Sequence, residues 1–203
     1  MTTILLTGFE PFGGEDRNPS AEIVARLGGT RIGGADVVGV VLPVVYGGSA
    51  DALLAALEAH QPGAVISLGV AVGRREVTPE RVAVNLDDTT AFDNAGAIHV
   101  ETPIVAGGPV GYLSTLPVRA IADAIEGAGI PAGVSGSAGA FVCNHVFYRL
   151  MATTEGTGMP AGFIHVPGLP GQGDPATDGP GMELETMVRA VSIAIEVVAS
   201  DLG

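Results

Sequence analysis

Ile4-Leu5-Leu6-Thr7-Gly8 is a short apolar run ended by glycine. Such a run reads as a strand buried on both faces. The next 60 or so residues decide what is built on it. Residues 19–27 carry Ile23, Val24 and Leu27 at helical spacing, and Pro19 suits a first helical position. Residues 36–43 give a second apolar strand through Val37-Val38-Gly39-Val40-Val41-Leu42. Residues 51–60 form an amphipathic helix with Leu53, Leu54 and Leu57 on one side. Ser49 is its candidate N-cap and Pro62 its stop. Residues 64–68 are a third strand, followed by Gly69-Val70-Ala71-Val72-Gly73. This βαβαβ rhythm argues an α/β fold layered on a sheet of parallel strands.

The pattern then changes. Glu80-Arg81-Val82-Ala83-Val84-Asn85 alternates polar and apolar, as a half-exposed strand does, and Pro79 marks its start. A glutamate at such a strand end is ordinarily solvated. Turn clusters at Asp87-Asp88-Thr89-Thr90, Asp93-Asn94-Ala95-Gly96 and Gly107-Gly108-Pro109 break residues 86–112 into loop. A loop of that length covers a site or an interface, or forms small extra strands. Residues 117–128 are a helix with Val118, Ile121, Ala122 and Ile125 in register, and residues 131–134 a short strand. Gly162-Phe163-Ile164-His165-Val166-Pro167 is a last strand. The glycine-, proline- and aspartate-rich residues 168–181 read as a mobile loop, and residues 182–198 as a closing amphipathic helix. No internal repeat interrupts this order, so residues 1–203 are expected to form a single catalytic domain.

Composition narrows the function. The chain is 47% hydrophobic and 15% charged, as globular chains are. Its net charge of −13 repels nucleic acid and anionic membrane surfaces, and no basic run offsets that. The single cysteine allows neither an intrachain disulfide nor a thiolate zinc site. The N-terminus lacks the charged and long apolar regions of a signal peptide, and no apolar run reaches the roughly 20 residues that span a bilayer. A soluble, cytoplasmic protein is the expectation. The P-loop and dinucleotide fingerprints are missing after both glycine-ended strands, and no histidine spacing suits a metal. No cofactor and no metal are therefore expected.

The chemistry points to Gly139-Ala140-Phe141-Val142-Cys143-Asn144-His145-Val146-Phe147-Tyr148. Val146, Phe147 and Leu150 share one helical face, with Asn144 a plausible cap, so Cys143 falls at or just before a helix N-terminus. Unpaired N–H groups and the helix dipole there favour a thiolate. A lone cysteine is also commonly a packed core residue. A nucleophile needs a base. His60 ends a helix, and His99 lies in the long loop. His145 is two residues from Cys143 and so points to a different side of the helix. His165 ends a strand, where catalytic groups of open α/β sheets gather, though a hydrogen-bonded core histidine fits the same position. Phe9 and Phe12 sit in the loop after the first strand, either folded onto the core or walling a small-ligand pocket.

Four blocks carry a resemblance. They are Thr7-Gly8-Phe9-Glu10-Pro11-Phe12-Gly13-Gly14 with Asn18-Pro19-Ser20; Thr78-Pro79-Glu80-Arg81-Val82-Ala83-Val84-Asn85; the Cys143 segment; and the His165 strand. In this order they resemble the pyroglutamyl peptidase type I family. The resemblance implies a cysteine exopeptidase that removes N-terminal pyroglutamate (5-oxoproline) from peptides. It also implies an α/β/α three-layer sandwich on a mostly parallel, mixed sheet, no metal, and a cytoplasmic homotetramer. By resemblance Cys143 is the nucleophile, His165 the base and Glu80 the residue that orients it, with Asp93 a minor rival to Glu80. Phe9, Phe12, Phe141, Val142 and Val70 fall at substrate-pocket positions. Two departures stand out. Where the family often has Gly-Gln-Ala-Gly-Gly-Arg, this chain has Gly69-Val70-Ala71-Val72-Gly73-Arg74. Where it often has Arg-x-x-Asp-Asn, this chain has Thr90-Ala91-Phe92-Asp93-Asn94. They keep open an alternative, an amidase or thioesterase acting on another small cyclic acyl group.

Overall fold

The computed structural model describes residues 2–173 and 180–202. In chain order the elements are β1 (Thr3–Phe9), α1 (Pro19–Leu27), β2 (Arg31–Ile32), β3 (Ala35–Leu42), α2 (Gly48–His60), β4 (Ala64–Val70), β5 (Thr78–Pro79), β6 (Val82–Val84), β7 (Gly111–Leu113), α3 (Val118–Gly127), α4 (Val142–Thr154), β8 (Ala161–Val166) and α5 (Leu184–Ser200). The main sheet runs β2-β3-β1-β4-β8-β5. Its four central strands are parallel, and the short edge strands β2 and β5 pair antiparallel. Strands β6 and β7 form a separate antiparallel ribbon.

The two-residue period of a strand sorts side chains between the layers. Ile4 and Leu6 of β1, Ile66 and Leu68 of β4, and Ile164 and Val166 of β8 pack with α1, α3 and α5. Leu5, Val65 and Phe163 point the other way and pack with α2 and α4. Three layers, α/β/α, follow from that alternation on strands buried on both faces. No helix among the described residues is long and apolar enough to cross a membrane.

Four local expectations differ from the structure. Ser49 does not cap α2, which begins one residue earlier, after Gly47 in a left-handed conformation. Ser49 lies within the first turn, fully buried, and its hydroxyl has no hydrogen-bond partner among the described residues. Leu53 is buried as expected, but Leu54 and Leu57 are only half-buried because the buried stripe runs through Ala50, Leu53 and Ala56. The alternating strand expected from Glu80 is broken: Thr78–Pro79 belongs to the main sheet and Val82–Val84 to the ribbon. Residues 131–134 make one isolated bridge, Ala132 with Val77, rather than a strand. Residues 86–112 fold back on themselves through a bridge between Asp87 and Thr102 and deliver β7. Of the loop expected at 168–181, residues 174–179 lie outside the described residues. Its two arms are joined where Met182 N–H donates to the Gly168 carbonyl at 2.9 Å.

Candidate active site

Cys143 is the second residue of α4, and Phe141 is the N-cap. No side chain caps that end, so the first-turn N–H groups stay available. Asn144 does not cap the helix. Its carboxamide accepts from Val84 N–H at 3.0 Å and donates to the Val84 and Leu86 carbonyls at 2.9 Å each. It therefore ties the helix start to the β6 ribbon.

Gly69 and His165 are paired across β4 and β8, so both face the α4 side of the sheet. A Cβ at Gly69 would lie 2.8 Å from Cys143 Sγ and 2.8 Å from the Phe163 ring. The sulfur thus rests directly over Gly69, beside the strand position of His165. On the far side of β8, Thr78 pairs with His165 and Glu80 N–H donates to the Phe163 carbonyl at 2.8 Å. This turn out of β5 delivers the Glu80 carboxylate to His165 Nδ1 at 2.8 Å. Glu80 is completely buried rather than solvated, and His165 nearly so.

The Glu80 carboxylate also takes the Arg74 guanidinium at 2.6 Å. Burial opposes its ionised form, but the hydrogen bond and charge of His165, with the hydrogen bond from Arg74, outweigh that and hold it below the usual carboxylate range. An ionised Glu80 fixes the proton on His165 Nδ1 and leaves Nε2 as the free base. Burial lowers the His165 pKa, with Glu80 opposing and Arg74 assisting. Burial likewise pushes the Cys143 thiol up to about 12, reinforced by the Glu80 charge and opposed by Arg74 and a backbone hydrogen bond. The residue keeps partial exposure, which softens the effect without reversing it. Burial therefore works against the thiolate that the helix N-terminus favours, and against a charged imidazole at His165.

A tight apolar slot, with a cavity of about 10 Å³, lies at the sulfur and is lined by Phe9, Phe12, Asn18, Val44, Val70, Phe141, Val142 and Cys143. Phe9 is buried at the end of β1, and Phe12 and Phe141 meet with ring centroids 6.0 Å apart. Asn18, part of the first family block, and Val44 are pocket residues that the sequence does not mark as such. Asn18 had a signal, since an asparagine before Pro19 is an N-cap. Its Oδ1 accepts from Ser20 N–H at 3.0 Å, and its amide donates to the Glu10 carbonyl at 2.9 Å, closing the loop that carries the two phenylalanines. Val44 had no signal, because an apolar residue after a strand-ending proline is unremarkable. Arg74 was legible only as part of a motif, since its contact with Glu80 is made through space.

The other expected participants lie elsewhere. Asp93 Oδ2 accepts from Tyr46 N–H at 3.0 Å, and Oδ1 accepts from Ala95 and Ala97 N–H at 2.9 and 2.8 Å. It is a turn-forming carboxylate and makes no contact with His165. His145 Nδ1 and His99 Nδ1 both meet Asp87 Oδ2, at 2.8 and 3.2 Å, and Tyr46 stacks on His99. His60 is exposed at the end of α2. A broad cavity of about 840 Å³, open to solvent, lies beside Arg74 and is lined by Arg75, Glu76, Thr78, Ser135 and Ser137 among others. Cys143 does not line it. Among the described residues no three His, Cys, Asp or Glu side chains gather as a metal site.

Comparison with known proteins agrees across the whole chain. Residues 2–201 match the family model described as pyroglutamyl peptidase. A pyrrolidone-carboxylate peptidase of Cupriavidus pinatubonensis is 50% identical over 198 residues, covering 96% of this chain and 92% of that one. One from Vibrio vulnificus is 47% identical over 193 residues, covering 95% and 91%. Among solved structures, pyroglutamyl peptidase I of Bacillus amyloliquefaciens superposes with a TM-score of 0.94 at 42% identity, covering 98% of each chain. A mutant pyrrolidone carboxyl peptidase of Pyrococcus furiosus gives 0.93 at 41%, covering both chains fully.

Proposed function

Because the chain belongs to the pyroglutamyl peptidase family, we propose that it removes N-terminal pyroglutamate from peptides as a cysteine exopeptidase. The observation that supports this reading is Cys143 Sγ seated over Gly69, the cross-strand neighbour of the Glu80-paired His165, with an apolar slot at the sulfur. A pyrrolidone ring is small and flat, with one N–H and one C=O, and suits such a slot. A free N-terminal ammonium would enter it unpaired, at high cost.

In this mechanism His165 takes the thiol proton as sulfur attacks the pyroglutamyl carbonyl. The Cys143 backbone N–H stabilises the oxyanion, a donor whose loss typically costs about 3 kcal/mol. His165 then protonates the departing amine and later activates the water that hydrolyses the acyl-enzyme. Glu80 holds the imidazole tautomer and stabilises its charge. Phe9, Phe12, Phe141, Val142 and Val70 bind the ring. The whole chain acts as one catalytic domain without a cofactor, and works in the cytoplasm as a homotetramer. Apolar Val110 and Leu113, exposed at and beside β7, are surface of the kind an interface covers.

Val70 on the slot wall gives a specific reason to keep the second reading, an amidase or thioesterase for another small cyclic acyl group. Its side chain offers the ring no hydrogen bond. The test is a panel of amides and thioesters of pyroglutamate, proline and other small cyclic acids. Pyroglutamyl amides are expected to give the highest kcat/KM. A different acyl group in first place would shift the assignment to the second reading.

A further inference from the structure

Resting on that reading, we propose that Arg74 is a positioning residue for catalysis, fixing the Glu80 carboxylate that in turn fixes the His165 ring. Glu80 Oε1 carries both contacts, Arg74 Nη1 at 2.6 Å and His165 Nδ1 at 2.8 Å, while Oε2 has no hydrogen-bond partner among the described residues. A carboxylate with one oxygen so loaded and the other bare could rotate about its terminal bond. Arg74 prevents this because it is itself anchored on three sides. Its Nη1 also donates to Thr78 Oγ1, and its Nη2 donates to the Ser137 carbonyl at 2.9 Å.

The chain is shaped to bring it there. After β4, Ala71 N–H donates to the Val166 carbonyl at 2.9 Å, and Gly73 turns with φ of 93°. That conformation is open to glycine and strained for other residues. The next residue is Arg74, which passes under the end of the sheet toward β5. It is the permanent cation in contact with Glu80 among the described residues. The ionisable groups that face Glu80 are Arg74 from this turn, His165 from β8 and, at longer range, Cys143 from α4.

The open cavity beside Arg74 makes the role testable. Removing the side chain leaves a guanidinium-shaped gap that bulk solvent reaches, since the Arg74 side chain is 28% exposed. Arg74→Ala is expected to lower kcat for a pyroglutamyl amide by about 10–100-fold, as loss of an outer-shell partner does. KM should change little, because Arg74 is not a slot residue. Without Arg74 both Glu80 and His165 take up protons more readily, so the acid limb of kcat/KM moves to higher pH. Millimolar guanidinium should restore part of the rate in Arg74→Ala but not in Arg74→Met, which fills the gap, and Arg74→Lys should keep an intermediate rate. An unshifted pH profile, or a loss that guanidinium leaves untouched while Arg74→Ala retains its fold, overturns the proposal. The His165 titration, followed by NMR in wild type and Arg74→Met, tests it apart from activity. An unmoved titration overturns it, whereas a wild type that ignores pyroglutamyl amides overturns only the reading on which it rests.

Discussion

Gly69 lacks a side chain where Cys143 Sγ and the Phe163 ring already fill the space. An added methyl would have to displace the nucleophile, the ring or the strand. Gly69→Ala is therefore expected to lower kcat/KM by about 100-fold, the penalty for roughly 1 Å of misplacement at a reacting atom. Overpacking should also remove about 1–3 kcal/mol of stability. Kinetics with a pyroglutamyl amide and urea denaturation check both, and near wild-type turnover would show that the sulfur does not work from this position. At this scale the sequence was partly legible. The strand-end place of His165 is readable, although its role comes from the resemblance, and His145, which its helical spacing aims away from Cys143, bonds Asp87. Glu80 could not be judged buried, because its burial depends on which sheet each neighbour joins. The desolvation of Cys143 is hidden from the sequence for a related reason. Helix position is local and readable, whereas desolvation is set by residues remote in sequence.

Elements with a clean period were readable almost to the residue. Helix α3 buries Val118, Ile121, Ala122 and Ile125, the four positions its spacing marks. Helix α1 starts at Pro19 with Asn18 as cap. What periodicity hides is where an alternating run changes sheets, as the chain does between β5 and β6. A polar residue inside a helix start was equally ambiguous. Asn144 read as a cap, and its carboxamide instead pins the ribbon that continues from Glu80. Asn144→Ala would leave one N–H and two carbonyls without that partner, at a cost of about 2–4 kcal/mol. Urea denaturation would measure it, and a loss below about 0.5 kcal/mol, the level of ordinary surface changes, would mean the strap bears no weight.

On the scale of the whole molecule, the chain leaves β1 first toward β3 and then crosses to β4 on the other side. Ligands of open α/β sheets bind where that reversal occurs, outside the carboxyl ends of the strands. The slot lies there, between Phe9 at the end of β1, Val44 after β3 and Val70 at the end of β4. The βαβαβ rhythm made this end of the sheet foreseeable, but not the ribbon that seats Asn144. Acid stability depends on the same buried pair. His165 is depressed below its ordinary value of 6.5, so as pH falls the unfolded chain takes up that proton first and stability drops. Glu80 is depressed below 4.5, so its contribution is present above that value and is lost as pH falls through the lower folded one. The Tm is thus expected to fall from pH 6.5 downward, with a shallower slope in His165→Gln, which titrates everything but that group. Equal slopes would contradict a neutral buried imidazole. The central claim is that Cys143 carries the acyl group of a pyroglutamyl substrate. Its most direct test is the hydrolysis rate of a pyroglutamyl amide by wild type and by folded Cys143→Ser. Brisk turnover by wild type and loss of at least about 1000-fold in the variant, the scale of a lost nucleophile, is the result predicted. Equal rates, or no turnover by well-folded wild type, would contradict it.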